Sequence, residues 1–129
     1  MNELENLESV SLKLEVDGET ELMIFLSKGG TINRLGGEEE GAKRSKRIQM
    51  GRTDEPLFEA WLAGLEPSML EMAGRYRLPD HDKGQVSYLE LALSGEGIDT
   101  GFAFEYGSEG MGPPEEILAL VNRLVALTD

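Results

Sequence analysis

Val10, Leu12, Leu14 and Val16 alternate with Ser11, Lys13 and Glu15, a period of two that predicts a strand with one buried face. Asp17-Gly18 supplies a turn, and residues 22–26 follow as a fully apolar strand. Lys28-Gly29-Gly30 turns the chain into Thr31-Ile32-Asn33-Arg34-Leu35. Ile48 and Met50 alternate with polar neighbours and predict a further strand. Residues 86–93 and 98–106 read as a hairpin around Gly95-Glu96-Gly97, with Phe102, Phe104 and Tyr106 sharing one face. Residues 75–78 have the length of a short strand.

Helical spacing occurs twice. Thr53-Asp54-Glu55-Pro56 is a start signal, with a capping side chain, early acids and an early proline. Leu57, Phe58, Trp61, Leu62 and Leu65 then fall on one helical face. This spacing assigns Trp61 to the core rather than to a ligand. A second short helix is expected up to Ala73, with Gly74 as its C-terminal cap. After Pro113-Pro114-Glu115-Glu116, the residues Ile117, Leu118, Leu120, Val121, Leu124, Val125 and Leu127 cover so much of a final helix that it must pack deeply. Strands joined by short turns imply a mainly antiparallel sheet. The expectation is one α+β domain over 1–129, with five to seven strands, two or three helices on one face and a tail at residues 1–8.

Composition narrows the function. The 16 glycines suit many turns, and the absence of cysteine excludes disulfides, thiolate metal sites and a cysteine nucleophile. The acidic N-terminus has no apolar run after it, and the longest apolar stretch is far shorter than a membrane span. A cytoplasmic location is expected on these grounds. A net charge of −13 attracts cationic partners and opposes nucleic acid and anionic membranes at long range.

Five of the twelve basic residues nevertheless cluster as Lys43, Arg44, Lys46, Arg47 and Arg52 in a stretch without acids. The segment carries no aromatic side chain of the kind that stacks on single-stranded bases. Glu38-Glu39-Glu40 lies just upstream, so mutual cancellation across a loop competes with a protein-partner site. Gly36 to Lys43 is not a phosphate loop, because Ala42 separates the second glycine from the lysine and Arg44 stands where serine or threonine is needed.

The 107–114 loop offers Tyr106, Ser108, Glu109 and Met111 as contact residues. Glu115 and Glu116 in the next turn oppose an anion there. Ser108 lacks the glycine context of a nucleophile elbow. The single histidine, His81, sits between Asp80 and Asp82. Neighbouring residues in a loop seldom converge on one ion, and a solvated loop is the simpler reading. No catalytic residue, metal or cofactor is expected. The expected function is a small acidic protein-binding or accessory domain with a cationic protein partner, or a second copy of itself on the apolar last helix. The alternatives are a small enzyme using His81 and carboxylates in a cleft, and a structural component of an assembly.

Overall fold

The computed structural model describes residues 6–36 and 48–128. A seven-stranded sheet forms from β1 (Leu7–Val16), β2 (Glu19–Ser27), β3 (Thr31–Gly36), β4 (Ile48–Arg52), β5 (Gly74–Arg77), β6 (Val86–Gly95) and β7 (Ile98–Gly107), in the order β4-β3-β2-β1-β6-β7-β5. Every pairing is antiparallel except that of β5 with β7. Among the described residues the helices are α1 (Leu57–Leu62), a 3-10 helix (Pro67–Met72) and α2 (Glu115–Leu127). The α+β architecture is therefore the one the hydrophobic pattern predicts.

The turns follow their chemistry. Asp17 and Gly18 both adopt positive φ, 51° and 85°, which suits the twist of the β1–β2 hairpin. Asp17 also accepts a hydrogen bond at Oδ1 from the amide of Val86, tying that hairpin to β6. β1 begins at Leu7, inside the expected tail, because the Leu7 side chain is buried in the core. Thr53 caps the amide of Glu55 rather than a helical amide, and α1 starts after Pro56. The helix expected before Gly74 is a 3-10 helix, and Gly74 opens β5.

Register decides which residues face the helices. Val10, Leu12 and Leu14 pair with Leu26, Ile24 and Leu22 on one side and with Leu93, Leu91 and Leu89 on the other. Phe102 and Phe104 extend these rows onto β7. This face packs against Phe58, Trp61, Leu65, Ile117, Leu120, Val121 and Leu124 in one core. Trp61 is fully buried and its indole Nε1 donates to the Leu120 carbonyl at 2.9 Å, so the two helices are joined by a polar contact as well as by packing. Arg123 adds a fork of hydrogen bonds to the Ala60 carbonyl, at 3.1 Å from Nε and 2.7 Å from Nη2.

Arg34 is the exception on this face. It pairs with Ile24 in register and is only 5% exposed. Its Nη1 donates to the Val125 carbonyl at 3.0 Å and to the Thr128 hydroxyl at 3.2 Å. The last turn of α2 has no basic residue of its own, so β3 supplies the cation that its terminal carbonyls and dipole favour.

Candidate functional site

The side chains of the central strands that point away from the helices form the opposite face of the sheet, on which no helix lies among the described residues. Two rows cross it. Asn33, Phe25, Ser11, Ala92 and Gly101 are successive partners across five strands. Leu35, Met23, Lys13, Glu90, Ala103 and Arg75 form the adjacent row. Ser11 is small beside Met23, Phe25 and Leu35, which lie side by side on β2 and β3. The result is an open depression of about 580 Å³ lined by Ser11, Lys13, Met23, Phe25, Asn33, Leu35 and Glu90 together with parts of the strands beneath.

Met23 is 44% exposed, and Phe25 and Leu35 are half-buried. The apolar run at residues 22–26 therefore divides: Leu22, Ile24 and Leu26 enter the core, while Met23 and Phe25 face outward. Isolated exposed apolar residues are ordinary; here Met23, Phe25 and Leu35 adjoin one another around a single depression.

Charge frames the depression. Lys13 Nζ lies 3.0 Å from Glu15 Oε2. The hydrogen bond and charge of Glu15 raise the Lys13 ammonium above its ordinary pKa, with Glu90 adding to the effect. Glu90 accepts a long hydrogen bond, 3.4 Å, from the Tyr88 hydroxyl. Burial pushes the Tyr88 phenol up, and the neighbouring Glu90 carboxylate pushes it further. The Lys13 ammonium thus stands between the Glu15 and Glu90 carboxylates.

The 107–114 loop is joined to the 79–85 loop. Ser108 Oγ accepts from the Gln85 amide at 2.8 Å, the Ser108 amide donates to the Gln85 carbonyl at 2.9 Å, and the Glu109 amide donates to the Lys83 carbonyl at 3.1 Å. A Cβ on Gly107 would meet the carbonyl oxygens of Lys83 and Asp80, so only glycine lets the two loops approach this closely. Tyr106 lies on the helix side of the sheet, half-buried and hydrogen-bonded to Ser87. Met111 is 63% exposed. Ser108 and Glu109 are thus fixed at this junction by their backbone and the Ser108 hydroxyl, and both are exposed, as is Met111.

Arg52 is exposed at the end of β4, paired in register with Thr31. Lys43, Arg44, Lys46 and Arg47, with Glu38-Glu39-Glu40, lie outside the described residues. His81 is near Glu105, 3.8 Å from Nε2 to Oε2, and Arg77 Nε is 3.6 Å from the same oxygen. His81 is not among the residues lining the depression. Among the described residues, no group of three or more histidine, aspartate or glutamate side chains is placed to hold a metal ion. Among them also, no helix is long and apolar enough to cross a membrane.

The outward position of Met23 and Phe25 is what sequence reasoning missed. The available signal was the alternation of β1: once Leu12 and Leu14 point inward, antiparallel pairing sends the odd-numbered residues of β2 to the other face. Compared with known protein families and with curated proteins, the chain matches no family model and no individual sequence.

Proposed function

We propose that this chain is a non-enzymatic protein-binding domain that holds its partner on the outward face of the sheet. The observation that carries the reading is the depression formed by Met23, Phe25 and Leu35 on the face opposite the helices. A partner with an apolar centre would remove these side chains from water, at about 25 cal/mol per Å² of apolar area buried. Glu90, with Glu15 beyond Lys13, favours a cationic rim on that partner, and the overall charge of −13 would speed its approach.

The test is affinity capture from native lysate with the wild-type chain and with a Met23→Asp/Phe25→Asp variant, at low and high salt. The expected result is a protein recovered by wild type, more readily at low salt, and lost with the variant. Recovery by both chains alike would end the reading. Size-exclusion chromatography of the purified chain distinguishes a second copy from a different partner.

A further inference from the structure

The free edge of β5 differs from the rest of the sheet. β5 is a terminal strand of the sheet, and all four of its residues are exposed. The amide of Leu78 donates to the Glu105 carbonyl of β7, at 2.9 Å. Backbone groups alternate in direction along a strand, so Tyr76 shares that orientation and the amides and carbonyls of Arg75 and Arg77 point to the unpaired edge. Their side chains rise from the outward face, where Arg75 is paired with Ala103 and Arg77 with Glu105. Between them, Tyr76 lies on the opposite face, stacked on Phe104 at 5.1 Å, with its hydroxyl donating to the Met72 and Ala73 carbonyls. The strand is thereby held extended with two backbone donors and two acceptors presented together.

We propose that this edge accepts an extended acidic segment of a partner protein as an eighth strand, with carboxylates at alternate positions beside Arg75 and Arg77. Main-chain pairing on an exposed edge is a general mode of peptide recognition. The two arginines choose the occupant. A second copy pairing antiparallel through β5 would place like charges opposite one another, which is unfavourable, whereas an alternating acidic strand places opposite charges there. Arg77 shares Glu105 with His81 at distances of 3.6 and 3.8 Å, and Arg75 has no ion pair among the described residues, so the edge keeps positive charge to offer. The net charge of −13 opposes an acidic ligand at a distance, so recognition here is made at contact and not by steering. Arg75 and Arg77 share the outward face with the depression but lie two strands beyond Glu90 and do not line it, and the inference does not depend on the function proposed above.

The experiment is a titration of the isotope-labelled full chain, followed by amide resonances and hydrogen exchange. Three synthetic peptides serve as probes: alternating valine and glutamate, alternating valine and lysine, and the glutamate peptide with methylated backbone nitrogens on its pairing edge. The glutamate peptide is expected to shift and protect the amides of Arg75 and Arg77, and to bind at least about fivefold more tightly than the lysine peptide. An Arg75→Gln/Arg77→Gln variant loses this preference, and Arg75→Glu/Arg77→Glu inverts it. Both arginines are exposed, and circular dichroism checks that each variant is folded. Equal affinity for the two charge types, undiminished binding of the methylated peptide, protection confined to other strands, or no binding of the glutamate peptide would each overturn the proposal.

Discussion

Replacing Arg34 with methionine tests how the sheet is joined to its last helix. Methionine keeps an unbranched stem and removes the donors to the Val125 carbonyl at 3.0 Å, the Thr128 hydroxyl at 3.2 Å and, more weakly, the Gly36 carbonyl at 3.4 Å. A hydrogen bond from a charged group contributes about 1.5–3 kcal/mol. A cation at a helix C-terminus adds about 0.3–1 kcal/mol. Against these stands the desolvation of a guanidinium, a cost of several kcal/mol that methionine does not carry. Two well-formed bonds less that relief leave a net destabilisation of about 2–4 kcal/mol for Arg34→Met. Trp61 is the reporter, because it is the single tryptophan, is fully buried and bonds to α2 through the Leu120 carbonyl. With a urea dependence of about 2 kcal/mol per molar, the midpoint should fall by about 1–2 M at unchanged slope. Thr128→Val removes one acceptor while leaving the Val125 bond, and should cost about 1 kcal/mol. An Arg34→Met chain within about 0.5 kcal/mol of wild type would refute the view that β3 caps α2.

Gly107→Ala should destabilise the chain by about 1–3 kcal/mol, because the added methyl meets backbone carbonyls of Lys83 and Asp80 that can yield only if the loop moves. An unchanged melting temperature would show that the two loops are not held together. Burial raises the Tyr106 phenol above its ordinary pKa, with the Ser87 hydrogen bond pulling the other way. Its stabilising contribution is complete below the unfolded value of about 10 and is lost as pH rises through the higher folded value. Tyr106→Phe should therefore flatten the alkaline loss of stability by up to about 1.4 kcal/mol per pH unit, and denaturant midpoints between about pH 9 and 12 check it. Parallel curves for the two chains would contradict this linkage.

Much of the fold was legible because its contacts are periodic. The alternation of Val10 to Val16 fixed both faces of β1, and Trp61 with its neighbours fixed the buried side of α1. What escaped was information carried by pairing rather than by local pattern. The run Leu22-Met23-Ile24-Phe25-Leu26 is apolar on both faces, so hydrophobicity alone does not show that Met23 and Phe25 look outward. Nothing local marks Arg34 for burial; α2, far away in sequence, brings the carbonyls that its guanidinium meets. The short stretch at residues 75–78 was recognisable as a strand, but its parallel union with β7 depends on a long connection that no local signal specifies. In the 107–114 loop, the glycines announced a turn but not the second loop packed against it.

The outward face is tested most directly by site-specific photocrosslinking. A benzoylphenylalanine placed at position 25, and separately at position 111, would be irradiated in native lysate and the adducts compared. Position 25 should yield a discrete adduct that Met23→Asp removes, while position 111, on the loop away from the depression, should not yield it. An adduct formed equally from both positions, or none from position 25, would contradict the claim that this face holds the partner.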